Sequence, residues 1–167
     1  NLPALARAFA RFKSEKNRPH QLVIAGKDDF RTDRTMAEIR SAGGAGIHFT
    51  GFIPDTDLPA LIRAAEFFVY PSLFEGVGLP VMEAMAAGTP VITSAATSMP
   101  EIAGGAARLV DPESEREIAA AMAELADDPD LRKKMGSDGR RRAMDFTCEE
   151  AGRRTLRVYT ELNSSRS

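Results

Sequence analysis

Glu75 and Glu83 are two carboxylates eight positions apart, and the segment between them, Gly76-Val77-Gly78-Leu79-Pro80-Val81-Met82, opens with residues that leave backbone uncovered. The apolar run Phe67-Phe68-Val69-Tyr70 leads in and the helix-forming run Val81 to Ala87 leads out. The whole reads as strand, glycine-rich turn and helix start. Unpaired N–H groups at such a turn, with the positive end of a helix dipole behind them, suit an anion such as phosphate. A carboxylate beside phosphate is repelled unless it serves another group. Both glutamates are therefore suited to accept hydrogen bonds from hydroxyls, which points to a sugar or ribose joined to the phosphate.

The elements around this turn must alternate. Leu2, Leu5, Ala6, Phe9 and Phe12 recur at helical spacing and predict a helix over 2–16. Gln21 to Ala25 is a short apolar run stopped by Gly26, which reads as a buried strand. A helix over 33–42 and a strand over 47–50 follow, then a helix entered through Pro54 to Pro59 and ending near Glu66. Strands are predicted at 67–70, 90–93 and 107–110, with a helical turn at 99–102 closed by Gly104-Gly105. Past Asp111-Pro112 the strands stop; helices are predicted over 113–126, 130–135, 137–145 and 149–162, then a frayed tail. Strands alternating with helices give an α/β fold with a doubly wound parallel sheet, Rossmann-like, buried on both faces and followed by C-terminal helices. Ligands of such sheets sit beyond the carboxyl ends of the strands. The turns at Gly26-Lys27, Gly51-Phe52 and Ser72 to Gly78 should then share one rim.

Composition excludes several classes. The 167 residues suffice for one domain, with 43% hydrophobic and 28% charged. A net charge of −2 argues against a nucleic-acid footprint. The single cysteine, Cys148, excludes an internal disulfide and fits a reducing, cytoplasmic setting. No apolar run reaches membrane-spanning length. His20 and His48 lack partners at metal-ligand spacing, so no metal and no cofactor are expected. Met82, Met85 and Met99 read as core filler. The arginines at 140–142, 153, 154 and 157 read as a solvated helix face, with peripheral membrane contact of a longer parent as the other reading.

The ordered series Pro71-Ser72, Glu75-Gly76-Val77-Gly78, Glu83-Ala84-Met85 and Gly88-Thr89-Pro90-Val91 closely resembles the signature of GT-B glycosyltransferases, nearest to the retaining family 4. The resemblance covers nearly the whole chain, including Gly51, Pro100-Glu101 and Asp111-Pro112, as the C-terminal, donor-binding half of that fold. It implies a donor made of a hexose-type sugar on a nucleoside diphosphate, and an acceptor the sequence does not identify. Glu83 would accept from the ribose hydroxyls; an acid favouring the helix dipole in the first turn is the plainer reading. Glu75, the catalytic residue of this reading, would lie against the donor sugar near the reacting carbon; a solvated loop acid is the alternative. Gly76 and Gly78 would let the backbone approach, with Val77, Gly78 and Leu79 offering N–H groups to the phosphates; a tight turn alone also explains the glycines. Phe52 and Ile53 would wall the nucleobase, though strand-end packing serves as well. Thr93, Ser94 and Glu101 are weaker candidates.

Paired carboxylates also suit a glycosidase, but a hydrolase needs no diphosphate cradle. A non-catalytic nucleotide or sugar-phosphate binding module on the same fold is the rival reading. Relatives carry an arginine and a lysine at the end of the domain's first strand, and Asn1 aligns just after that lysine. The resemblance therefore implies one nucleotide-sugar-binding domain over 1–167, lacking that first strand, its two cations and the N-terminal acceptor domain. Charge-assisted phosphate bonds of that kind are worth roughly 1.5–3 kcal/mol each, so the chain alone should be inactive. Relatives also often have tryptophan where this chain has Cys148.

Overall fold

A computed structural model of the chain describes residues 1–26, 33–41 and 45–164. In chain order the elements are α1 (Leu2–Lys16), β1 (Leu22–Ala25), α2 (Asp33–Ser41), β2 (Ile47–Gly51), α3 (Leu58–Ala64), β3 (Phe68–Tyr70), α4 (Leu79–Ala87), β4 (Val91–Ser94), α5 (Met99–Ala103), β5 (Arg108–Val110), α6 (Glu115–Asp127), α7 (Pro129–Ala143) and α8 (Cys148–Ser164). Pro3 sits in the first turn of α1, where its missing N–H costs nothing, and Asn17 ends the helix in the left-handed region at φ 47°. Lys27 and the predicted helix end at Ala42 lie outside the described residues.

Every strand pairing is parallel, and the expected α/β architecture with trailing helices is present. The strands pair as β1–β2 and as β3–β4–β5, with no ladder between the two groups among the described residues. Their amino ends adjoin, because His20, just before β1, lies 3.0 Å from Glu66, just before β3. At the other end the Asn1 amide donates to Pro71 O and Pro112 O, both at 2.8 Å, beside the exits of β3 and β5. Helix α1 thus runs back from the carboxyl rim to the amino side.

Helices cover both faces of β4. Ile92 packs with α1 and α6 through Phe9, Phe12, Ile118, Met122 and Leu125, whereas its neighbour Val91 packs with α3, α4 and α5 through Ile62, Val81, Met85 and Met99. Alternation along one strand feeds two cores, as the pleat requires. All four residues of β4 are buried, but burial on both faces does not extend to β1, where Val23 is 46% exposed.

The sequence reading also splits one helix that is continuous. Gly136 lies inside α7, which runs unbroken through 129–143. A Cβ at Gly136 would sit 2.3 Å from Gly88 O, and one at Gly139 would sit 3.4 Å from Met85 Cα. These glycines are contact points that let α7 approach α4, not breaks. Helix α8 likewise continues through Asn163 and Ser164, which the sequence reading assigns to the tail.

Candidate functional site

Strand β3 delivers the chain to the carboxyl rim, and α4 carries it away. Between them, Pro71 to Gly78 form the turn. Gly78 is the N-cap of α4 at φ 75°, and a Cβ there would lie 2.2 Å from the buried Met99 Cε. Both backbone and packing therefore demand glycine. Gly76 differs, since a Cβ there meets nothing within 4 Å. Packing accounts for Gly78; Gly76 keeps open the space in front of the turn.

Val81 N–H and Met82 N–H return to Gly78 O at 3.0 and 3.4 Å, and Pro80 has no N–H. The amides of Gly76, Val77, Gly78 and Leu79 donate to no protein acceptor among the described residues. Val77 and Leu79 are 51% and 59% exposed, so these donors face an open rim. Unsatisfied donors at the head of a helix attract anions.

The two glutamates sit differently. Glu75 is half-buried and gripped: Tyr70 Oη donates to its Oε1 at 2.6 Å and Ser72 Oγ donates to the same oxygen at 3.1 Å. Its backbone is held too, with Glu75 N–H donating to Thr97 Oγ1 at 3.3 Å and Ser98 Oγ donating to Glu75 O at 3.1 Å. Burial, and then the bond to Glu75, push the Tyr70 phenol up to about 12. Glu83 is exposed and lies past the first turn of α4, in which there is no acidic residue. The dipole explanation for Glu83 is correspondingly weakened, because that effect fades after the first turn.

Thr97 has φ 52°, in the left-handed region that a β-branched residue enters only under strain. It precedes α5, whose carboxyl end is held by Arg142 Nη2 and Nε donating to Glu101 O at 2.6 Å and Ile102 O at 3.1 Å. Arg142 therefore does not belong to a solvated basic face. The remaining arginines are largely neutralised in place: Arg153 and Arg154 bond Glu150, and Arg141 bonds Asp138.

Phe52 and Ile53 follow β2, with Phe52 63% exposed on the side toward which the strands point. Thr93 is buried and donates to Tyr70 O at 2.9 Å, which is a strand-to-strand role. Ser94 Oγ, at the end of β4, is buried without a partner among the described residues. Glu101 offers its backbone carbonyl to Arg142, while its side chain points into solvent. Sequence reasoning missed Tyr70, Thr97 and Ser98; the Pro71-Ser72 lead-in held the one signal, a hydroxyl three residues before the glutamate.

Hollows of about 330 and 390 Å³ lie elsewhere, at the α7–α8 junction and beside Gly104 and Arg142. Among the described residues no three His, Cys, Asp or Glu side chains gather as a metal centre would require. Among them, too, no helix is long and apolar enough to cross a membrane.

The family model described as glycosyl transferases group 1 matches residues 1–142. The chain is 33% identical over 160 residues to the O-antigen chain mannosyltransferase B of Escherichia coli, covering 95% of this chain and 42% of that protein. It spans between about a fifth and two fifths of the length of the curated relatives it matches. Among solved structures, the C-terminal domain of a glycosyl transferase group 1 family protein from Francisella tularensis is 28% identical with a TM-score of 0.73, covering 86% of this chain and 77% of that one. Anabaena Alr3699/HepE in complex with UDP superposes with a TM-score of 0.81 at 20% identity, covering 95% of this chain and 44% of that one, a likeness of fold.

Proposed function

The chain belongs to the family of group 1 glycosyltransferases, and we propose that it is the donor-binding domain of a retaining, metal-independent enzyme of that family. The reaction would move a hexose-type sugar from a nucleoside diphosphate to an acceptor. One observation carries this reading: four unpaired amides at 76–79 head a helix, with a fixed carboxylate before them and an exposed one after. Amides and helix dipole take the diphosphate. Glu75 meets hydroxyls of the donor sugar, and Glu83 meets those of the ribose. Gly76 leaves the approach clear, and Phe52 and Ile53 wall the base. The name of the mannosyltransferase relative supports hexose transfer, and the UDP in the Alr3699/HepE structure supports a nucleotide donor.

In retaining transfer the leaving phosphate oxygen is placed to receive the acceptor's proton, so Glu75 works by orienting the sugar. The diphosphate charge calls for cations beside the amides. We assign them, and a strand pairing with β1 and β3, to a segment upstream of Asn1. The gap between β1–β2 and β3–β4–β5, unladdered among the described residues, supports this. A classic doubly wound order places strand one between the two halves. The acceptor half would come from the same upstream region.

The test is turnover by the full-length protein against a panel of UDP-, GDP- and ADP-hexoses. Release of nucleoside diphosphate is expected from one of them, with Glu75→Ala lowering kcat by at least about a hundredfold if it loses both orientation and charge. Wild-type turnover by Glu75→Ala would refute the assigned role.

A further inference from the structure

Four polar contacts grip Glu75 with no ligand present. Tyr70 Oη and Ser72 Oγ both donate to Oε1, while Thr97 and Ser98 hold the N–H and the carbonyl. Among the described residues Oε2 accepts no hydrogen bond. The carboxylate is thus asymmetric, one oxygen committed to the protein and the other left for a further donor.

The two hydroxyls are not equal. Ser72 rides on the turn, and its hydroxyl also reaches Phe74 O at 3.3 Å. Tyr70 ends β3, its carbonyl held by Thr93 and its ring stacked on Phe68 at 6.1 Å and 13°. The shorter bond comes from the stiffer element. A carboxylate bonded in this way cannot rotate freely.

We propose that Tyr70 is a positioning residue for Glu75: its hydroxyl fixes the carboxylate so that Oε2 alone meets a hydroxyl of the donor sugar. The proposal rests on the reading of Glu75 as the residue against that sugar. It assigns Glu75 the work of holding substrate. Donor binding, spread over the amides and Glu83, would be little affected by loss of the Tyr70 hydroxyl. The chemical step would suffer.

The test uses full-length protein with the hexose donor that the panel above identifies, comparing Tyr70→Phe, Glu75→Ala and the double variant. Tyr70→Phe should lower kcat about tenfold, with donor KM changed by less than about threefold, the size expected for one charged hydrogen bond. The double variant should match Glu75→Ala, because the hydroxyl has no function without the side chain it holds. Ser72→Ala should show a smaller loss of the same kind, and it replaces Tyr70→Phe if that variant fails to fold. A merely structural hydroxyl would multiply its loss onto Glu75→Ala, and that result overturns the proposal. So does wild-type kcat in Tyr70→Phe beside a crippled Glu75→Ala. An unimpaired Glu75→Ala, or a wild type that turns over no donor of the panel, instead removes the reading beneath it.

Discussion

At Gly76 and Gly78 the same substitution has different meanings. Alanine at Gly78 must adopt φ 75° and displace Met99, so Gly78→Ala should destabilise by about 2 kcal/mol in urea unfolding. Gly76→Ala meets no protein atom, and its stability should stay within about 0.5 kcal/mol of wild type. Its nucleotide affinity should nonetheless fall, because the methyl occupies the approach to the amides. Thr97 gives a third contrast. Thr97→Gly relieves strain of about 1–3 kcal/mol while losing the bond to Glu75 N–H, so turnover should fall without loss of stability. Tyr70 can be followed directly. Its phenol is pushed up to about 12 by burial and then by the bond to Glu75, so the protonated phenol contributes stability fully below about pH 10, lost as pH rises through about 12. The difference in phenolate absorbance between wild type and Tyr70→Phe should show that late step. The glutamates and glycines were legible from type and spacing. Tyr70, Thr97 and Ser98 were not, because a hydroxyl becomes a site residue only through where the fold puts it.

Helix α7 shows how an element can be misread. Two glycines within four residues suggest a break to anyone counting propensity, since each costs about 1 kcal/mol in a helix. Their reason lies on α4, which local sequence does not contain. Gly136→Ala should push α7 off the Gly88 carbonyl and destabilise by about 1–3 kcal/mol. Gly152→Ala, in the exposed α8 with no atom within 4 Å, should stabilise by about 0.5–1 kcal/mol. Opposite signs in thermal unfolding would confirm the distinction. Elements with strong periodicity fared better: α1 and α6 follow from their apolar faces, and all five strands follow from short apolar runs between breakers. Burial of β1 was overestimated because an apolar run reports what a strand could bury and not what covers it.

Across the whole molecule, α1 and α6 are closed at the amino side by Arg18. Its fork bonds Asp127 at 2.7 and 2.8 Å and lies 4.8 Å from the Phe12 ring. The Arg18 guanidinium, aided by Lys16, holds the Asp127 carboxyl well below the usual carboxylate range. A depressed carboxylate contributes stability above its unfolded value near 4 and loses it as pH falls through the folded value. The stability gap between wild type and Asp127→Asn should therefore narrow below about pH 4. At the opposite side of the molecule the carboxyl rim gathers the chemistry: Asn1 ties the exits of β3 and β5, and the glycine turn opens beside them. That the rim takes a nucleotide is the claim on which the rest depends. Calorimetric titration of UDP and GDP into the full-length protein and its Glu83→Ala variant tests it most directly. One nucleotide should bind the wild type, and the variant should bind it at least about tenfold more weakly, the loss expected for a carboxylate serving two ribose hydroxyls. Equal affinity in both proteins, or no binding by the wild type, would contradict the account.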